Sequence, residues 1–292
     1  MFERILVPLD GSENAEIVFP YAAELASRFT SEVILVTVSE PAAPDSGHLF
    51  RTYLRHAARK LRLRLSTWGG RETVAVLSAV LSGKPANEIL RSAKEKDVGL
   101  ILLASHGSSA EGPWLLGNIA AKVLRAADRP IMLVRERVRE KVLERKELLH
   151  RILVPLDGSK TGEAALHYAA TLAKKTAAEI VLVEVFEPVS TVGAIGVSYS
   201  VHEHESVRRA LMSYLNSVAE PFKDDGLKVS SVVLFGNAAS QIMKYAEENG
   251  FDLIAISSHG RSGIGRWVFG NVTDKILHTG NVAVLVARAT KE

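Results

Sequence analysis

The chain has 292 residues, 47% hydrophobic and 24% charged, which is enough for two domains of average size with their own cores. It contains no cysteine, which excludes disulfides, thiolate zinc sites and cysteine nucleophiles and suits a reducing compartment. The net charge of +3 is uneven: residues 1–149 hold 22 Lys/Arg against 18 Asp/Glu and residues 150–292 hold 14 against 15, a weaker bias than a nucleic-acid module carries.

At the N-terminus, MFERILVPLDGS has no basic flank before a long apolar run, and apolar runs elsewhere reach only strand length. Neither a signal peptide nor a membrane span is expected, and the expected location is cytoplasmic. Residues 4–12, RILVPLDGS, recur unchanged at 151–159, an offset of 147 that persists from VILVTV at 33–38 to IVLVEV at 180–185. From Gly107 to Gly260 and from Gly117 to Gly270 the offset is 153, so the second copy carries six more residues, expected within 187–202. The chain therefore reads as a tandem duplication, 1–136 and 150–292, joined by a charge-dense helical linker at 137–149.

In chain order the first copy reads as strand 5–9, helix 13–29, strand 33–38, helix 49–67 and strand 73–79, then helix 85–95, strand 100–104, helix 113–127 and strand 131–135. Ser12 and Ser159 stand where a helix N-cap belongs, Pro85 suits a first helical position, and Pro20 inside the first helical pattern predicts a kink. Alternating β and α units with β-branched apolar strands indicate two doubly wound parallel sheets of α/β class, covered on both faces.

Ligands of open α/β sheets sit at the carboxyl ends of the strands, where the winding reverses. Two loops at that edge hold the polar and glycine signals. One follows the first strand (Pro8, Leu9, Asp10; Pro155, Leu156, Asp157), and the other follows the fourth (Gly107, Gly117; Gly260, Gly270). A glycine loop running into a helix start makes an anion cradle from free N–H groups. If strands one and four are neighbours, the carboxylate faces that cradle and suits a ribose hydroxyl or a metal on the phosphates.

An Asp after the first strand with G-x2-G-x9-G-[ST] after the fourth resembles the universal stress protein family, here as a tandem pair covering nearly all of the chain. The resemblance implies a Rossmann-like, adenine nucleotide alpha hydrolase-like five-stranded sheet of order 3-2-1-4-5 in each copy. It also implies pairing through the fifth strands, within the chain as a pseudo-dimer or between chains as a homodimer. A regulatory ATP-binding role follows, with adenine beside the first two strand ends and phosphates on the glycine loop. Mg2+ is expected to come with the nucleotide near Asp157, and AMP or a cyclic nucleotide is an alternative ligand.

Carried over by position, the second copy places Asp157 at the ribose, the Val185 backbone at adenine, and Gly260, Gly270 and Asn271 at the phosphates. Val272 and Thr273 open the following helix, with Pro155 and Leu156 beside Asp157. The first copy matches with Pro8, Leu9, Asp10, Val38, Gly107, Gly117, Asn118 and Ile119. Two positions depart from the pattern. The first glycine is Ala104 in one copy and Ser257 in the other, which costs on the order of 1 kcal/mol if positive φ or very close approach is required there. The [ST] position is Asn in both copies. Between the glycines, the second copy has RSGIGRWVF, with Arg261 and Arg266 available to phosphates, whereas the first has SSAEGPWLL, with Glu111 and no base. The second copy is therefore expected to bind more tightly.

Other patterns read more plainly. His106 and His259 assemble no Ser/His/Asp triad and are expected to hydrogen-bond local backbone. The run His202-Glu203-His204-Glu205 scatters metal-ligand types and reads as a solvated helix start. RTYLRHAARKLRLR at 51–64, with six Lys/Arg and no acid, reads as an amphipathic helix with a solvated basic face. Gly83-Lys84-Pro85 lacks the Ser/Thr of a Walker A loop, and the glycine spacing misses the dinucleotide fingerprint. A nucleotide-free dimeric interaction scaffold is the alternative function. A slow ATPase is a weaker one, since no residue stands out as a water-activating base.

Overall fold

The computed structural model describes residues 1–40, 46–68, 74–107, 116–135, 145–188, 201–260 and 269–288. The first copy forms β1 (Arg4–Pro8), α1 (Phe19–Phe29), β2 (Glu32–Ser39), α2 (Ser46–Ser66), β3 (Val76–Ser82), α3 (Pro85–Glu95), β4 (Leu100–Ala104), α4 (Asn118–Ala126) and β5 (Ile131–Val134). The second forms β6 (Arg151–Leu156), α5 (Lys160–Thr176), β7 (Glu179–Phe186), α6 (Val201–Asp224), β8 (Val229–Phe235), α7 (Ala238–Glu248), β9 (Leu253–Ser257), α8 (Asn271–Thr279) and β10 (Ala283–Ala287).

All ten strands lie in one sheet of order β3-β2-β1-β4-β5-β10-β9-β6-β7-β8. Each half is the parallel 3-2-1-4-5 arrangement. The halves meet where β5 and β10 pair antiparallel, with Leu133 opposite Val284, Met132 opposite Leu285 and Ile131 opposite Val286. Each fifth strand thus has a neighbour on both edges, so the pairing is made within the chain and no fifth-strand edge is left for a second chain. Strands β4, β5, β9 and β10 are buried at every position, as strands covered on both faces must be, while the edge strand β3 is mostly open. Core side chains fill both faces: Val33, Leu35, Leu54 and Leu61 on one, Ile34, Val36, Ile89 and Val123 on the other.

The two first helices differ for a reason visible in the chain. In α5 the Ser159 hydroxyl accepts from the Gly162 amide at 3.0 Å, and one helix runs unbroken to Thr176. In the first copy Ser12 accepts from Ala15 at 3.2 Å, a 3-10 turn follows over Ala15–Val18, and α1 restarts at Phe19 with Pro20 in its first turn. The expected kink is therefore a helix break. Proline lacks the N–H that an unbroken helix would need at that point and suits a first turn, where none is used. Strand β3 lies three residues later than expected, in register with β2 from Val33↔Val76 to Ser39↔Ser82.

The six-residue difference between the copies is a net figure. Tyr53-Leu54 of α2 matches Tyr214-Leu215 of α6 at an offset of 161, and Val76 matches Val229 at 153, so about fourteen residues are added before α6 and eight removed after it. The expected insertion at 187–202 falls mostly outside the described residues, as do 137–144 of the expected helical linker. Residues 145–149 carry no helix, and Leu148 and Leu149 are buried.

Candidate functional site

At the carboxyl end of the sheet both copies build the same corner. Asp10 Oδ1 accepts from the Ser12 amide at 3.0 Å and hydroxyl at 2.6 Å, and Asp157 Oδ1 accepts from Ser159 at 3.1 and 2.6 Å. The other oxygen, Oδ2, lies against the α-carbon of the loop glycine. A Cβ on Gly107 would collide with Asp10, and one on Gly260 with Asp157. Neither glycine has positive φ, so both are required by this close approach and not by an unusual backbone. Among described non-glycine residues, positive φ occurs only at Thr30, Asp97 and Ala177. Ala104 and Ser257 close their strands with ordinary backbone, and the cost considered for a side chain there does not arise from backbone strain.

Gly117 and Gly270 are the N-caps of α4 and α8, and neither helix has a side-chain cap. Their own amides donate to Ser105 O at 2.9 Å and Ser258 O at 3.1 Å. The first intrahelical bonds are Ala121 N to Gly117 O at 2.8 Å and Asp274 N to Gly270 O at 2.9 Å. The amides of 118–120 and 271–273 therefore precede the helical ladder, at the positive end of the helix dipole.

A cavity of about 420 Å³ in the first copy is lined by Pro8, Leu9, Asp10, Val38, Ala104, Gly107, Gly117, Asn118 and Ile119. One of about 280 Å³ in the second is lined by Pro155, Leu156, Asp157, Val185, Ser257, Gly260, Gly270, Asn271, Val272 and Thr273. In each copy these residues come from two loops and the ends of four elements and converge only through the parallel order. Arg261, Arg266 and Glu111 lie outside the described residues. In the second copy, Thr273 Oγ1 donates to Ser257 O at 2.9 Å, a bond that Ala120 cannot make in the first. Ser257 Oγ and His259 Nε2 are buried there without a hydrogen-bond partner among the described residues.

His106 Nδ1 meets the Ser105 hydroxyl at 2.9 Å and His259 Nδ1 the Ser258 hydroxyl at 3.1 Å, so each ring is tied to the side chain that precedes it. Lys84 is the N-cap of α3 with Pro85 in its first turn, a plain helix start. The 202–205 run opens α6, with the His204 ring edge-on to Phe235 at 5.5 Å. Among the described residues no three His, Asp or Glu side chains gather as a metal site.

Several lining residues were not anticipated. Pro85 and Ile89 of α3 and Phe50 of α2 wall the first cavity, and Ala238 and Ile242 of α7 the second. The most consequential is Glu184, 4% exposed near the end of β7, where the first copy has Thr37 at 1%. An acid inside the apolar run IVLVEV is the signal that could have marked it. Nearby, Tyr214 donates to Glu163 Oε1 at 3.2 Å, and burial, then the Glu163, Glu184 and Asp157 carboxylates, push its phenol above its ordinary pKa. Tyr53 is pushed up likewise by burial and by Glu16 and Asp10.

A family model described as "Universal stress protein family" matches residues 1–135 and again 149–288. The chain belongs to the universal stress protein family. Two copies of that family's domain make up its length. A universal stress protein of Mycolicibacterium smegmatis is 24% identical over 294 residues, covering 97% of this chain and 96% of the relative. Universal stress protein Rv2005c of Mycobacterium tuberculosis is 25% identical over 231 residues, 79% of this chain and 75% of the relative. The crystal structure of a universal stress protein from Archaeoglobus fulgidus shares the fold, with a TM-score of 0.71 at 20% identity over 99% of this chain and 100% of that one. No helix among the described residues is long and apolar enough to cross a membrane.

Proposed function

We propose that this universal stress protein is a regulatory module that binds an adenine nucleotide, ATP with Mg2+ foremost, in the cavities of both copies, with the second copy the tighter. The observation that carries the reading is the corner common to both: a carboxylate oxygen packed on a glycine α-carbon, opening onto an uncapped helix start. The residues fit the group. The amides of 271–273 would receive phosphate oxygens, aided by the helix dipole. Asp157 would accept from a ribose hydroxyl, and the Val185 backbone would meet adenine. Ser257 Oγ and His259 Nε2 would gain partners that the described residues do not supply. Mg2+ would offset phosphate charge, with the protein supplying at most the Asp157 carboxylate. The preference for the second copy rests on Arg261 and Arg266 in its loop against Glu111 in the first.

Glu184 favours a second reading, the nucleotide-free scaffold, because it puts an acidic side chain in the lining of the cavity that is to hold phosphates. Calorimetric titration of ATP with Mg2+ into protein refolded free of carried-over ligand separates the readings. One tight site per chain, abolished by Asp157→Ala and kept by Asp10→Ala, with binding at the first copy much weaker, is the expected result. Two sites with equal affinities would remove the asymmetry, and no binding at millimolar ATP would leave the scaffold. Glu184→Thr, which installs the first copy's residue, is expected to tighten binding at the second site several-fold.

A further inference from the structure

Helix α2 has an outer face that the nucleotide reading does not use. Its inner face is settled: Leu54, Ala57, Ala58 and Leu61 are buried against the sheet. Its 21 residues include no acid. Outward stand Arg51, Arg55 and Arg59, one helical turn apart at i, i+4 and i+8, all exposed and without an ion pair among the described residues. Lys60, by contrast, is paired with Glu16 at 2.7 Å, and Arg62 donates to Val76 O at 2.8 Å. A second stripe runs at i, i+7 and i+14: Leu49, His56 and Leu63. The two leucines are 69% and 62% exposed, the largest exposures of any leucine among the described residues. At 1.5 Å and about 100° per residue, the arginine row is about 12 Å long and the leucine stripe about 21 Å, and the two converge toward the end of the helix, from Arg51 and Leu49 on opposite flanks to Arg59 and Leu63 one turn apart.

The matching helix of the second copy lacks this face. Helix α6 interleaves Glu205, Glu220 and Asp224 with Arg208, Arg209 and Lys223. The basic, leucine-bearing surface therefore belongs to the first copy alone, and it accounts for much of that half's positive charge.

We propose that the outer face of α2 is a docking surface for an anionic phospholipid membrane. Exposed arginines with no ion pair among the described residues, converging on two exposed leucines along the outer side of one helix, match a surface that has negative headgroups over hydrocarbon. A nucleic-acid backbone would satisfy the arginines but offers nothing to Leu49 and Leu63, which lie where a phosphate-binding face would be polar. The chain holds itself to the lipid surface by the side of a folded helix, so the association is peripheral, reversible and weakened by salt.

The test is sedimentation of the full-length protein with vesicles of phosphatidylcholine, alone or mixed with phosphatidylglycerol, at low and physiological salt. Binding to the mixed vesicles only, falling with salt, is expected. Arg55→Glu with Arg59→Glu should weaken it by at least an order of magnitude, at about five-fold or more per charge. Leu49→Ser with Leu63→Ser, which leaves every charge in place, should weaken it several-fold. Arg208→Glu with Arg209→Glu on α6 should leave it unchanged. All substituted positions are exposed, and unchanged circular dichroism and thermal midpoint show that the fold is kept. The proposal is overturned by no binding to anionic vesicles at low salt, or by equal losses from the α6 and α2 arginine pairs. It is also overturned if the leucine pair has no effect while duplex DNA binds the wild type more tightly than the vesicles do, which would reassign the face to nucleic acid.

Discussion

Glu24 is fully buried in α1, and its Oε2 accepts the Leu148 amide at 2.8 Å, pinning the end of the inter-copy connection to the first copy. Its Oε1 has no hydrogen-bond partner among the described residues. Burial raises its pKa above the ordinary carboxylate range, opposed by the Leu148 amide, Arg28 and the Leu149 amide. A raised folded-state pKa means the native protein holds this proton after the unfolded chain has released it. Glu24 therefore makes stability fall as pH rises from the ordinary carboxylate value through the raised one. In urea titrations from pH 4 to 8, Glu24→Gln, which keeps an acceptor for Leu148, is expected to lack that decline, so that its stability relative to wild type improves as pH rises. Glu24→Ala strands the buried amide and should cost about 1–3 kcal/mol at every pH. A wild-type and Gln pair with parallel pH profiles would show that Glu24 does not titrate in this window. None of this was legible in the sequence, where Glu24 is one acid in an amphipathic helix; its burial depends on a connection 124 residues away. Gly107 and Gly260 were legible as glycines that matter, but the reason was not. It lies in an aspartate that only the β1–β4 and β6–β9 neighbour relation brings to them.

At the scale of elements, the duplicated RILVPLDGS segment starts two different helices, and the difference follows from what comes after it. Ser159 is a true N-cap, at β-region φ and ψ with its hydroxyl on the Gly162 amide. Ser159→Ala is therefore expected to cost about 1 kcal/mol. Ser12→Ala should cost less, because Ser12 supports only a 3-10 turn that ends at Val18, after which α1 starts afresh with Pro20 in its first turn. Both serines also donate to the aspartate of the candidate site, so each substitution should lower nucleotide affinity in its own copy in the same order. Thermal denaturation of the two single variants checks the ranking, and equal losses would contradict it. Strand positions with strong apolar runs were legible to within a residue or two, because a strand covered on both faces tolerates little else. The edge strand β3 was placed three residues early because an edge is only half covered and its pattern is correspondingly weak. The net offset between copies hid an insertion and a deletion that partly cancel. Set beside the match of Val76 with Val229, the matched tyrosines, Tyr53 against Glu16 and Tyr214 against Glu163, separate them.

The whole molecule is closed by an exchange that no single copy contains. Arg135, just past β5, is 6% exposed and donates to Ile276 O at 2.8 Å and Leu277 O at 2.6 Å, at the end of α8 in the other copy. Arg288, 153 residues on and just past β10, returns the contact, donating to Leu124 O at 2.6 Å and to Arg125 O at the end of α4. Burial pulls the Arg135 guanidinium down to about 10, so it stays charged at neutral pH. A buried cation needs compensation, and the carbonyl end of a helix supplies it through both hydrogen bonds and dipole. The helices held in this way are the two whose N-termini open into the candidate cavities, so each copy's arginine steadies the other's cradle. Arg135→Met fills the space but leaves two carbonyls without their donor and should cost about 2–3 kcal/mol. Its particular signature is where the loss appears. Amide exchange should quicken in the last turn of α8, in the copy that was not mutated, and leave α4 protected. Arg288→Met should do the reverse, quickening exchange at α4 while α8 stays protected. If each variant instead loosened only its own copy, the arginines would be serving their own strands, and the antiparallel β5–β10 pairing would be joining the halves without help from them.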